Sequence, residues 1–215
     1  MMSTAHAQPT VSVIDDDPAI LKSLSAMITV MGLQVKLCSS AEEFLDVYDS
    51  TQPGCLVLDL CLPGMNGLEL MEACRQRGMR IQVIMITGHG EVSMAVQAMR
   101  SGAIDFLEKP YRTDELRKRI LEAVGLDAAY RQQLAERQAV QECLKTLTSG
   151  EQAVLDMMIA GKSNKQIAAD LGISLRTVHS RRTAILDKMK AGSRTELLQT
   201  VLKYLTSGEE SAPAQ

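Results

Sequence analysis

The stretch Gly54-Cys55-Leu56-Val57-Leu58-Asp59-Leu60-Cys61-Leu62-Pro63-Gly64 decides the fold. Its apolar run, Cys55 to Leu58, predicts a strand buried on both faces. The run stops on a carboxylate, and Pro63-Gly64 closes a turn behind it. Ligands of open α/β sheets sit beyond the carboxyl ends of the strands, so Asp59 stands where chemistry would occur. A single strand-end Asp is as often a helix cap, and the neighbouring strands have to decide.

Working outward, Val11 to Ile14 predicts a strand that ends in Asp15-Asp16-Asp17. Asp17 and Pro18 are suited to cap and open a helix with apolar Ile20, Leu21, Leu24, Met27, Ile28 and Met31, stopped by Gly32. Leu33, Val35 and Leu37 alternate with polar residues as a second strand. Ser40 and Glu43 form a capping box for a helix carrying Phe44, Leu45 and Tyr48. Beyond the central strand, a helix is expected from about Gly67 to Arg77. A strand from Ile81 to Ile86 follows, ending in Thr87-Gly88-His89-Gly90. A helix with Val92, Ala95, Val96 and Met99 then stops at Gly102. The strand Ile104 to Leu107 runs into Glu108-Lys109-Pro110, and Thr113 caps a helix with Leu116, Ile120 and Val124. Strict alternation of this kind predicts a doubly wound, five-stranded parallel sheet covered on both faces.

All strand ends then lie on one edge, where Asp15, Asp16, Asp59, Thr87 and Lys109 converge. Crowded carboxylates raise each other's pKa unless a cation neutralises them, and hard oxygen ligands with room for water suit Mg²⁺. Asp59 could then attack phosphorus, with metal and Lys109 spreading the developing charge. Asp15-Asp16, Asp59 with Pro63-Gly64, Thr87 and Lys109-Pro110 together closely resemble the signature of a two-component receiver domain, over about residues 10–124. The resemblance implies a flavodoxin-like fold with Asp59 as phospho-acceptor. It also implies Mg²⁺, for which Mn²⁺ could substitute, on Asp15, Asp16, Asp59 and the backbone carbonyl of Cys61. Thr87 would bind the phosphoryl oxygen, Phe106 would be the aromatic switch, and Lys109-Pro110 would be cis. Cys61 and His89 occupy positions where the family varies and tunes dephosphorylation.

Composition agrees with such a protein. The 215 residues are 46% hydrophobic and 23% charged, enough for one or two globular domains. No apolar stretch approaches the ~18 residues of a membrane span. Residues 1–10 lack a secretory pattern, which predicts a cytoplasmic location. Five scattered cysteines without metal spacing read as reduced thiols. Charge is uneven: Glu151 to Lys203 holds nine Lys/Arg against five Asp/Glu, a net +4. As the whole chain carries −3, the remainder sums to −7. A basic back half is a candidate for nucleic acid.

That back half is helical throughout. Residues 125–144, rich in Ala, Gln and Arg, predict a mostly exposed linker helix, with a dimeric coiled coil as the alternative. Thr148/Glu151, Ser163/Gln166 and Ser193/Glu196 are three capping boxes opening short helices. Ser163 to Leu171, a Gly172 turn and a longer basic helix have helix-turn-helix spacing. Leu147-Thr148-Ser149-Gly150-Glu151, Gly161-Lys162-Ser163-Asn164-Lys165-Gln166-Ile167 and Arg176-Thr177-Val178 resemble the LuxR-type DNA-binding domain, expected over 145–205. Receiver plus this domain resembles the FixJ-like branch of response regulators. The DNA-contact candidates are Lys162, Asn164, Lys165, Arg176, Thr177, His179, Ser180, Arg181, Arg182 and Thr183. The carry-over puts His179, Ser180 and Thr183 in the major groove.

The expected function is a phosphorylation-switched transcription regulator. Its implied partners are a sensor histidine kinase, operator DNA, a second copy of itself when phosphorylated, and RNA polymerase. The alternative from another class is an Asp-nucleophile phosphohydrolase of similar fold. Against it stand Cys61, where that chemistry would want a general acid, and the helix-turn-helix. A DNA-binding protein with a degenerate receiver is disfavoured because every receiver position is intact. The tail, 206–215, is expected to be disordered.

Overall fold

The computed structural model describes residues 8–88 and 92–206, so His89 and the tail beyond Thr206 lie outside it. Five strands, β1 (Thr10–Ile14), β2 (Gln34–Cys38), β3 (Gly54–Asp59), β4 (Gln82–Thr87) and β5 (Asp105–Glu108), form one parallel sheet in the order β2-β1-β3-β4-β5. Every residue of β3 is buried, as its unbroken apolar run requires for a central strand. Alternation splits the core into two layers. Leu56 and Leu58 join Phe44, Leu70, Met85 and Ala98 beneath α2 (Ala41–Val47), α3 (Gly67–Gln76) and α4 (Val92–Arg100). Cys55 and Val57 join Leu24, Ile28, Leu116 and Ile120 beneath α1 (Pro18–Val30) and α5 (Thr113–Lys145). Register pairs Ile14 with Leu58, and Asp59 with Ile86, so the β1 and β3 carboxylates emerge side by side.

Several local expectations need correction. Ser40 accepts from the Glu43 N–H, but the Glu43 carboxylate turns outward to the Ser39 N–H and hydroxyl, so that box is half formed. Ser193/Glu196 does the same, with Glu196 accepting from Gly192. A complete box that the sequence reading missed, Asn66/Glu69, opens α3. Thr113 is helical instead of capping α5, because the Arg112 carbonyl already accepts from Leu116 and Glu115. Leu37, Val96 and Met99, expected on apolar faces, are exposed.

The helical linker expected over 125–144 is continuous with α5. The chain divides into two compact units, residues 1–131 and 132–215. Asp127, buried in the first, accepts from the Gly54 N–H at 2.9 Å and from Arg131 at 2.8 Å. Arg131 also donates to the carbonyls of Ser50, Thr51 and Gln52. Gly54 is at φ +147°, and a Cβ there would lie 1.8 Å from the Thr10 carbonyl oxygen. In the second unit, Val140, Cys143 and Leu144 of α5 pack on a core of Val154, Leu155, Met158, Ile167, Val178, Ile185, Leu197 and Val201. These core residues come from α6 (Ser149–Ile159), α7 (Asn164–Leu171), α8 (Leu175–Lys188) and α9 (Arg194–Thr206).

Candidate functional site

The carboxyl edge of the sheet collects the expected residues. Asp15 follows β1, Asp59 ends β3, Thr87 ends β4 and Lys109 follows β5. Asp15, Asp59 and Thr87 are buried, whereas Asp16 is exposed. Lys109 Nζ donates to Asp15 Oδ2 at 2.8 Å and to Asp59 Oδ2 at 2.5 Å. Asp59 Oδ1 accepts the Cys61 N–H at 3.0 Å, and Asp15 Oδ1 accepts the Asp17 N–H at 2.9 Å. The Lys109-Pro110 bond is cis, and the Lys109 N–H donates to the Thr87 carbonyl at 2.7 Å. Phe106 is half-buried against the layer beneath α2 to α4. Gly67 lets α3 start against the strand end, since a Cβ there would meet the Asp59 carbonyl oxygen at 2.8 Å.

Electrostatics follow from burial and from these bonds. Burial is the largest influence on the Asp15 carboxyl and lifts it above the usual range; the hydrogen bonds from Lys109 and Asp17 only partly counter it. Burial opposes the Lys109 charge, but the hydrogen bonds and charges of Asp15 and Asp59 outweigh that and hold its ammonium above the ordinary value. Oxygens of Asp15, Asp16 and Asp59 lie within 4.8 Å of one another. Three hard oxygen donors, one of them open to solvent, fit a Mg²⁺ ion that keeps part of its water shell.

The second unit presents the basic helix α8 across the α7–α8 turn. Ser163 and Thr148 make complete capping boxes, and Ser174 caps α8 by accepting from the Thr177 N–H. Lys165, Arg176, His179, Ser180 and Thr183 are exposed. The other candidates contact protein. Lys162 pairs with Asp170 at 2.6 Å, and the Thr177 hydroxyl meets Ser174 at 2.9 Å. Arg181 covers Gly150 and donates to its carbonyl at 3.3 Å. Arg182 donates to Asn164 Oδ1, and Asn164 Nδ2 lies 3.4 Å from His179 Nε2. Lys188 Nζ, not singled out in the sequence, reaches Glu151 at 2.6 Å and the Thr146 carbonyl at 3.0 Å, tying the end of α8 to the start of α6. Glu196 and Glu151 share the same helix-opening pattern, so spacing does not distinguish Glu151, which is also ion-paired to Lys188.

Comparison with known proteins matches both halves. Residues 11–121 match the response regulator receiver domain, and residues 145–201 the bacterial regulatory proteins of the luxR family. The transcriptional regulatory protein FixJ of Azorhizobium caulinodans is 41% identical over 89% of this chain and 91% of its own. The response regulator protein TodT of Pseudomonas putida is 38% identical over 92% of this chain and 87% of its own. Among solved structures, the response regulator StyR aligns with a TM-score of 0.85 at 38% identity, covering 92% of this chain and all of that one. Full-length FixJ from B. japonicum aligns at 0.58 and 34% identity, covering 93% of this chain and 98% of that one. Among the described residues, no helix is long and apolar enough to cross a membrane.

Proposed function

Since the chain belongs to the response regulators that join a receiver domain to a LuxR-family DNA-binding domain, and is a transcription regulator and not a metabolic enzyme, we propose that phosphorylation of Asp59 controls its DNA binding. One observation carries the assignment: Asp59 is the strand-end carboxylate bonded to Lys109 and within ligand distance of both Asp15 and Asp16. A histidine kinase is the phosphoryl donor that a receiver implies. An Asp59 oxygen attacks phosphorus, the phosphorus–nitrogen bond of the donor breaks, and the imidazole leaves. Asp15, Asp16, Asp59 and the Cys61 carbonyl would hold Mg²⁺, which supplies neutralisation of the oxyanions brought together there. Lys109 steadies the Asp59 carboxylate beforehand and balances the added charge afterwards.

The acyl phosphate draws the Thr87 hydroxyl toward it, and Phe106 repacks in response. The exposed apolar side chains Val96 and Met99, 45% and 48% accessible, support receiver dimerisation through the α4–β5 face. In the second unit, Lys165 and Arg176 contact phosphates, while His179, Ser180 and Thr183 read base edges. Lys162, Asn164, Thr177, Arg181 and Arg182 hold that surface in shape, and RNA polymerase is the further partner at a promoter.

Intact-mass measurement after incubation with acetyl phosphate and Mg²⁺ tests the acceptor. One phosphoryl group is expected on the native chain, little on Asp16→Ala and none on Asp59→Asn. Equal labelling of the native and Asp59→Asn proteins would remove Asp59 from the role.

A further inference from the structure

The Arg182–Asn164–His179 contacts carry chemical information beyond their packing, and its use in recognition rests on the reading that α8 enters the DNA groove. A guanidinium has donors and no acceptor, so the Asn164 atom that Arg182 meets must be the carbonyl oxygen, Oδ1. The Asn164 amide is thereby oriented, with Nδ2 turned to His179 Nε2 at 3.4 Å. Nδ2 offers hydrogens and no lone pair. A neutral His179 can satisfy it only with a bare Nε2, which places the ring proton on Nδ1. This is the reverse of the tautomer that a free neutral imidazole prefers. Thr183 does not disturb the arrangement, because its hydroxyl donates to the His179 backbone carbonyl at 3.2 Å, one turn back.

We propose that Asn164, oriented by Arg182, is a positioning residue that fixes His179 as the Nδ1–H tautomer, so that His179 presents a hydrogen-bond donor to DNA. In the major groove a donor suits acceptor edges, guanine O6 and N7 foremost, and is refused by the cytosine amino group. Arginine donates to any acceptor, phosphate included, whereas a tautomer-locked imidazole offers a single directed donor.

Long-range proton–nitrogen correlation spectra of the full chain, labelled on histidine and recorded at alkaline pH, read the tautomer without any DNA. His179→Gln identifies the His179 signals among the three histidines. The native protein is expected to show the Nδ1–H pattern, and Asn164→Ala to revert to Nε2–H. Asn164→Asp, isosteric with the amide, keeps an acceptor for Arg182 but turns a second acceptor to the ring, and is expected to force a proton onto Nε2. In parallel, sites are selected from random DNA. At the base pair whose preference His179→Ala abolishes, the native chain is expected to favour guanine by about tenfold. Asn164→Ala is expected to lose that preference. A native Nε2–H pattern, or a tautomer unmoved by Asn164→Ala, would overturn the inference while leaving α8 as the reading helix. If the tautomer responds but His179→Ala changes no base preference, the reading role of His179 fails; if Ser180→Ala and Thr183→Ala change none either, the groove assignment of α8 fails with it.

Discussion

Lys109 is the residue on which the acidic edge balances. Its ammonium bonds both Asp15 and Asp59, so it competes for the carboxylates that a divalent ion would use. Like charges a few Å apart repel by ~1 to 4 kcal/mol, so Lys109→Met is expected to tighten Mg²⁺ binding roughly tenfold or more, read by calorimetry. Labelling of the same variant by acetyl phosphate is expected to slow, since the ammonium no longer shares in balancing the transferred charge. Weaker Mg²⁺ binding in Lys109→Met would show that Lys109 organises the carboxylates instead of competing for them. Glu151 gives a second residue-level expectation. The hydrogen bond from Lys188, with the Thr148 N–H, holds its carboxyl down to about 2, against an ordinary 4.5. A carboxyl depressed on folding contributes stability that is complete above its unfolded value and lost as pH falls toward its folded one. Amide protection in α6 and α8, taken relative to the intrinsic exchange rate at each pH, is therefore expected to fall between pH 4.5 and 2, and Glu151→Gln to flatten that dependence. An unchanged pH profile in the variant would detach Glu151 from the acid sensitivity of this unit.

Among the elements, α5 departs most from its sequence pattern. Leu116 and Ile120 marked its first turns correctly, but the polar run after Val124 resembled a solvated connector. What extends the first unit to Arg131 is a set of contacts more than seventy residues away in sequence, from Asp127 to Gly54 and from Arg131 to residues 50–52. Periodicity has no access to such pairings. Asp127→Ala strands the Gly54 N–H and is expected to lower stability by ~1–3 kcal/mol in urea unfolding. Leu155→Ala, in the core of α6, is expected to cost ~2–5 kcal/mol through transfer and cavity terms. A change under half a kcal/mol in Asp127→Ala would show the α5 clamp to be dispensable. The sheet edge was legible because these apolar runs stop at polar or charged residues: Asp15, Asp59 and Thr87 stand at the ends of theirs, and Lys109 follows one residue after Glu108. Capping was legible only in part. Ser40 and Ser193 receive their N–H donors as expected, whereas Glu43 and Glu196 reach one residue further out, a choice of rotamer that spacing does not encode. The basic helix was the least legible element, since a count of charges does not separate the exposed Arg176 from Arg181 and Arg182, which face Gly150 and Asn164.

At the scale of the molecule, two compact units carry two chemistries, which the proposed function couples through dimerisation. A single recognition helix holds a half-site weakly; joining two through the receivers makes the second contact intramolecular and strengthens binding without a new DNA contact. Two-fold symmetry then calls for inverted half-sites about one helical turn, ~10 bp, apart. Because Val140 packs against the core of the second unit, the fragment for comparison begins at Gln132, where that unit starts. The central claim, that phosphorylation of Asp59 switches DNA binding, is tested most directly by one titration. A DNA site selected from a random pool is titrated with the full chain, with and without acetyl phosphate and Mg²⁺, beside Asp59→Asn and the fragment 132–215. The expected result is tighter, steeply concentration-dependent binding by the treated native chain alone, with the variant unresponsive and the fragment no tighter than the untreated protein. An Asp59→Asn protein that responds as the native chain does, or a fragment that binds as tightly as the treated chain, would contradict it.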